Sequence, residues 1–241
     1  MPGFVQSGFL KLVKPLISLF TRTRVNPNWF TTLGLILNIV AALSFAWGAK
    51  YGTREDLQYI GWGGFFVLIG GLCDMLDGKV ARAAGLSTRF GALYDSVLDR
   101  YSEVIMFLGM GYYLVAKDYF YESVFCFIAL GGSTMVSYIR ARSEALHIEC
   151  KVGIMQRPER IVWLGAGSMF CGLSTLFVDP SYVLDFNGIH LFKPIYIFTV
   201  PLVIVAVLAN TTSIQRMIHS YRESAVKEEA SQIPQSSQTV S

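Results

Sequence analysis

The sequence predicts an all-α integral membrane protein, six transmembrane helices preceded by an interfacial amphipathic helix. Three observations carry that prediction. Hydrophobic residues make up 53% of the chain and charged residues 15%, with a mean hydropathy of +0.46; a soluble domain would carry about a quarter charged residues. The apolar residues come in long blocks, and several windows approach the roughly 20 residues that cross a bilayer. Lysine and arginine, finally, gather in alternate connections between those windows.

Residues 1–24, with "FVQSGFLKLVKPLISLFTRTR", are too interrupted by Lys11, Lys14 and Pro15 to span. Their mixed basic and apolar character suits a helix lying in the interface, and they lack the small-residue cleavage site of a signal peptide. Residues 25–222 read as one membrane domain. Its spans are Trp29–Trp47, Ile60–Asp77, Ala92–Ala116, Tyr121–Ile139, Ile161–Val178 and Pro194–Ile214. The aromatic run from Tyr112 to Tyr121 marks a membrane interface. The small residues of "LGAGSMFCG", Leu164–Gly172, suit close helix packing, and Pro201 is placed to kink the last span. Residues 223–241 are polar, with few large apolar side chains, and read as a disordered tail.

With six spans, Lys50, Arg54, Lys117 and Lys193 fall on one side, and nearly all other basic residues on the opposite one. Positive charge stays cytoplasmic. Both termini and the connection around residues 77–92 are therefore expected to face the cytoplasm, in a cell (inner) membrane. A net charge of +3 is too small to argue for nucleic acid; basic residues gathered at one membrane face suit anionic lipid or phosphate-bearing substrates. Cys73, Cys126, Cys150 and Cys171 form no CxxC pair, and His147, His190 and His219 have no metal-ligand spacing.

The chemistry is carried by "DMLDGKVARAAGLSTRFGALYDSVLD", Asp74 to Asp99. Asp74 and Asp77 are three apart, Asp95 and Asp99 four apart, so each pair shares one helix face. The short glycine-containing return lets both pairs converge on one cavity. Ionised carboxylates near a bilayer face an interior or a water-filled cavity, and two pairs held close repel unless a cation lies between them. Oxygen ligands favour a hard ion such as Mg²⁺, Mn²⁺ or Ca²⁺. Four carboxylates can hold two ions roughly 3.5–4 Å apart, the arrangement that serves phosphoryl displacement. Gly78 and Gly91 leave room for a ligand to approach the backbone. Arg82 offers planar donors to a phosphate, and Thr88 a hydroxyl. A divalent-cation transporter would use the same aspartates but has no need of phosphate-binding groups beside them.

At these residues the chain resembles the CDP-alcohol phosphotransferases. Asp74-x-x-Asp77-Gly78-x-x-Ala81-Arg82, then Gly91-x-x-x-Asp95-x-x-x-Asp99, is similar to that family's whole signature, and "NPNWFTTLG" to its Pro-Asn-x-x-Thr stretch. The resemblance implies cleavage of a CDP-linked donor, transfer of its phosphoalcohol to an acceptor hydroxyl and release of CMP. By motif position it implies Asp74, Asp77 and Asp95 as metal ligands, for two Mg²⁺ or Mn²⁺ ions. Asp99 is implied as general base and as a further ligand. Gly78, Arg82 and Thr88, with Asn28 and Thr31, would bind the CDP donor. A homodimer is implied as well.

The acceptor is read from a second set of residues. Arg140, Arg142, Arg157 and Arg160 follow the fourth span and Arg216 ends the sixth. Part of this is positive-inside anchoring, but fixed guanidinium groups beside the cavity suit an acceptor that already carries a phosphate. "SYIRARSE" and "QRPER" resemble the corresponding elements of the bacterial phosphatidylinositol phosphate synthases. That likeness implies Arg140, Arg157 or Arg160, and Arg216 as ligands of the acceptor phosphate, with CDP-diacylglycerol as donor and inositol 1-phosphate as acceptor. Arg140, Ser143 and Gln156 depart from that branch's usual Lys, Ala and Glu. The alternative within the family is phosphatidylglycerophosphate synthesis with glycerol 3-phosphate.

Overall fold

The computed structural model describes residues 28–83, 85–86, 88–186 and 189–232. Their helices are α1 (Asn28–Tyr51), α2 (Gln58–Ala83), α3 (Arg89–Ala116), α4 (Phe120–Ala145), α5 (Arg157–Ser174) and α6 (Tyr196–Gln232). The interfacial helix expected over 1–24 lies outside the described residues. Each of the six expected spans coincides with a helix. Four helices are long and apolar enough to cross a membrane: Asn28–Tyr51, Gln58–Leu76, Phe120–Ala145 and Tyr196–Glu228. The chain is a multi-pass membrane protein. α3 and α5 fall short of that criterion because they carry the charges of the site, Asp95, Asp99, Arg100 and Glu103 on one and Arg157, Glu159 and Arg160 on the other.

Two features depart from the expected pattern. A short antiparallel hairpin, β1 (Leu184–Phe186) with β2 (Ile189–Phe192), lies between α5 and α6. Asn-Gly at 187–188 is the sequence signal for such a turn. Residues 223–232, expected to belong to a disordered tail, are the last turns of α6. The stretch "ESAVKEEA" consists largely of good helix formers, and Glu223 precedes Lys227 by one turn. Lys227 also donates to the His147 carbonyl. Residues 233–241 lie outside the described residues.

The helices close a ring in which each has two principal neighbours, in the order α1, α2, α5, α6, α4, α3 and back to α1. α2 and α5 meet through small residues, as the Leu164–Gly172 stretch predicts. A Cβ on Gly61 would stand 2.8 Å from the Gly172 Cα. One half of the ring is filled by apolar side chains, including Phe45 of α1 stacked on Phe198 of α6 at 6.2 Å, with Met106, Met110, Leu164 and Leu202. The other half, at the C-terminal ends of α2, α4 and α6, carries the charged residues.

The connection from α4 to α5 is held against α6 at that charged end. Met155 N–H donates to Thr212 Oγ1 at 3.2 Å and Arg216 Nε to the Val152 carbonyl at 2.9 Å. Gly153 has φ +109°, and any side chain there would collide with Thr212. The connection thus delivers the start of α5 to a fixed place, where Pro158 in the first turn suits a helix N-terminus.

Candidate active site

Asp74 on α2 and Asp99 on α3 meet at one guanidinium. Arg157 Nη2, in the first turn of α5, is 2.8 Å from Asp74 Oδ2 and 2.8 Å from Asp99 Oδ1. The Asp74 side chain is almost wholly buried, Asp99 and Arg157 mostly so. Asp95 lies within Coulombic range of both other carboxylates. The Asp77 side chain lies outside the described residues; its place one turn beyond Asp74 on α2 puts its backbone at the same end. Asp74 is also seated against α1, where a Cβ on Gly34 would collide with Asp74 Oδ1. Asn38, one turn on, donates to the Gly34 carbonyl at 2.9 Å.

Behind this contact stands a second, drier one. Glu103, one turn beyond Asp99, receives Arg160 Nε at 2.9 Å, and Arg160 Nη2 lies 2.8 Å from the same oxygen. Arg100 Nη1 donates to the other Glu103 oxygen at 3.2 Å and also to Ser137 Oγ on α4. Arg160 Nη1 completes the set by donating to the Met155 carbonyl at 3.1 Å.

Of the expected donor-binding residues, Asn28, Thr31 and Thr88 lie at the starts of α1 and α3, and Gly78 and Arg82 in the last turns of α2. Thr88 caps α3, its hydroxyl accepting from Gly91 N–H at 2.9 Å. A Cβ on Gly91 would lie 3.5 Å from Asn28 Oδ1, which places Asn28 beside that cap. Thr31 is buried on α1, and the exposed Arg82 has its guanidinium near Gly78 on α2. Thr32 hydroxyl donates to the Asn28 carbonyl at 2.8 Å and stands 3.0 Å from Tyr94 OH, a link from α1 to α3.

The four arginines expected at the acceptor phosphate lie at one end of the ring, Arg216 within Coulombic range of Arg140 and Arg160, and Arg160 of Arg157, each with its own partner. Arg157 is among the carboxylates. Arg160 is fully buried on Glu103. Arg216, also buried, donates to the carbonyls of Val152 at 2.9 Å and Val136 at 2.6 Å. Arg140 forms a surface pair with Glu144 at 2.8 Å. Positive charges near a bilayer read alike in a sequence whether they point into the protein, into a cavity or to the surface. Sequence reasoning passed over Gly34 and Glu103. Gly34 lies in the "NPNWFTTLG" stretch, and Glu103 continues the four-residue spacing of Asp95 and Asp99.

The donor chemistry fits a hard divalent ion. The convergent groups are carboxylate oxygens, and Asp99 Oδ1 is buried without a hydrogen bond despite its ion contact. Among the described residues no group of three or more His, Cys, Asp and Glu side chains is close enough to hold an ion. Arg157 stands between Asp74 and Asp99, and Asp77 is not among the described side chains.

Residues 24–218 match the family model described as CDP-alcohol phosphatidyltransferase. A phosphatidylinositol phosphate synthase of Mycobacteroides abscessus is 33% identical over 168 residues, 68% of this chain and 71% of that protein. Two crystal structures of the Mycobacterium tuberculosis phosphatidylinositol phosphate synthase share the fold. The one with CDP-DAG bound has a TM-score of 0.66 and 26% identity, over 88% of this chain and 94% of that one. The one in complex with manganese and citrate has a TM-score of 0.65 and 27% identity, over 86% and 88%.

Proposed function

The chain belongs to the CDP-alcohol phosphatidyltransferase family, and we propose that it moves a phosphatidyl group from CDP-diacylglycerol to inositol 1-phosphate, releasing CMP. Arg157, a guanidinium 2.8 Å from both Asp74 and Asp99, is the observation that carries the choice of a phosphorylated acceptor; inositol over glycerol phosphate rests on the likeness to the proteins named above. A phosphorylated alcohol needs a fixed cation close to the base that takes its hydroxyl proton, and a guanidinium binds phosphate through planar, charge-assisted donors. The similar proteins named above as phosphatidylinositol phosphate synthases support the same reading.

In this reading the acceptor hydroxyl passes its proton to Asp99 as its oxygen attacks the phosphorus that bears diacylglycerol. The bond from that phosphorus to the pyrophosphate bridging oxygen breaks, and CMP leaves with the electron pair. Asp74, Asp77, Asp95 and Asp99 would hold two Mg²⁺ or Mn²⁺ ions, which when bound neutralise the pyrophosphate and the charge growing on CMP. Asn28, Thr31, Gly78, Arg82 and Thr88 would hold the CDP part of the donor. Arg140, half-exposed at the rim, would draw the phosphorylated acceptor in from solvent. Arg160 and Arg216 would be the further ligands of the acceptor phosphate beside Arg157.

All six helices are read as spans, α3 and α5 with their charges turned into the ring. By the positive-inside rule, the basic residues at the site's end of the ring support a cytoplasmic location for that end and for both chain termini. Mass spectrometry of the lipid made from CDP-diacylglycerol and inositol 1-phosphate tests the proposal. A product that retains the inositol phosphate is expected; a lipid bearing unphosphorylated inositol would contradict it.

A further inference from the structure

We infer that Tyr94 is a positioning residue for the CDP-donor subsite. Its hydroxyl, donating to Thr32, holds the start of α1 against the start of α3, so that Asn28 and Thr88 stand together at the nucleotide. The inference rests on the donor-binding role proposed above for Asn28 and Thr88.

The direction of the bond follows from counting protons. A threonine hydroxyl has one proton to give and two lone pairs. Thr32 gives its proton to the Asn28 carbonyl at 2.8 Å, so across the 3.0 Å to Tyr94 the tyrosine is the donor. The result is a directed chain from the Tyr94 hydroxyl through the Thr32 hydroxyl to the Asn28 carbonyl, in which each bond strengthens the next. It starts on α3 and ends on the first residue of α1.

This chain lies one turn behind the donor residues. Thr32 is four after Asn28 and Tyr94 three after Gly91, spacings that keep each pair on one helix face. A Cβ on Gly91 would stand 3.5 Å from Asn28 Oδ1 and 2.9 Å from Thr88 Oγ1, so the two proposed donor ligands meet there. α1 and α3 both begin at this end and run side by side. Deeper in the ring a Cβ on Gly109 would lie 2.6 Å from the Ala42 Cα, and backbone contact sets the spacing. Near the starts, Gly34 turns its face of α1 towards Asp74 of α2, and a long side chain, Tyr94, makes the join to α3. The Phe90 ring braces that of Tyr94, their centroids 6.0 Å apart, and Tyr94 and Thr32 are both half-buried. A hydrogen bond weakens steeply as it bends. It therefore fixes the rotation of α1 as well as its distance, without Tyr94 touching the donor.

The test measures kcat, with KM for CDP-diacylglycerol and for inositol 1-phosphate, in the presence of Mg²⁺. It compares the wild-type chain with Tyr94→Phe, Thr32→Val, Thr32→Ser and the double variant Tyr94→Phe/Thr32→Val. The dissociation constant for CDP, which needs no acceptor, is measured alongside and is expected to follow the donor KM. Tyr94→Phe loses one oxygen and is expected to raise the donor KM about threefold or more, with kcat and acceptor KM changed less than about twofold. Thr32→Val is expected to match it, and the double variant to be no worse than either, because both act through one bond. A double variant as impaired as the product of the two single effects would mean that Tyr94 meets the donor directly, and would overturn the inference. A lowered kcat with unchanged donor KM would place the effect on Asp95, beside Tyr94, and would overturn it too, as would donor and acceptor KM rising together. Thr32→Ser keeps the hydroxyl and is expected to stay near wild type; a donor KM as high as that of Thr32→Val would trace the effect to packing instead. Asn28→Ala separates this inference from the reading beneath it. An unchanged donor KM in that variant would remove Asn28 from the donor subsite and the inference with it. A raised one, beside an unaffected Tyr94→Phe, would overturn the inference alone.

Discussion

Arg157 offers a single nitrogen to two carboxylates, one from α2 and one from α3. Arg157→Ala is expected to raise KM for a phosphorylated acceptor about tenfold or more, and to raise it much less for CDP-diacylglycerol. Equal effects on both substrates would remove it from the acceptor subsite. Asp99→Asn keeps shape but loses the proton acceptor; transfer is expected to fall by about 10²-fold or more, with little change in melting temperature. Gly34→Ala drives a methyl group into Asp74. It is expected to weaken Mn²⁺ binding, followed by calorimetry, far more than it lowers the melting temperature. The aspartates were legible because their spacing is local and four carboxylates beside apolar spans demand a purpose. Glu103 and Gly34 were not, because each acts through a partner 57 or 40 positions away, Arg160 or Asp74.

At the scale of elements, charge separates the helices that hydropathy finds from those it does not. α1, α2, α4 and α6 show themselves by length and apolar composition. α3 and α5 were placed by their apolar portions, and their charged turns face the ring. The hairpin at Leu184–Phe192 is brief, with strands of 3 and 4 residues, and lies in a connection between two apolar spans. α6 continues past its apolar portion because Ala, Glu and Lys sustain a helix without burial, whereas low hydrophobicity alone was read as disorder. The α2–α5 contact is set by Gly61 and Gly172 at close backbone approach. Gly61→Val is expected to cost about 1–3 kcal/mol by overpacking, seen as a lower melting temperature in detergent. A melting temperature equal to wild type would show that the helices separate freely there.

For the whole molecule, the ring divides into an apolar half that holds the helices together and a charged half that faces one membrane surface. Basic residues crowd the same surface, so a reporter fused after Ser241 is expected to be active only in its cytoplasmic form. Activity of a periplasmic reporter there would invert the orientation. That one surface carries the carboxylates, the proposed donor groups and Arg157, so a lipid-borne donor and a soluble acceptor would meet at it. The most direct measurement is CMP release by the purified chain with CDP-diacylglycerol and Mg²⁺, supplied in parallel with inositol 1-phosphate, glycerol 3-phosphate or free inositol. Release stimulated by inositol 1-phosphate and abolished by chelator is the expected result. Stimulation by free inositol instead, or by glycerol 3-phosphate alone, would contradict the proposed acceptor, and release that survives chelation would contradict the metal site.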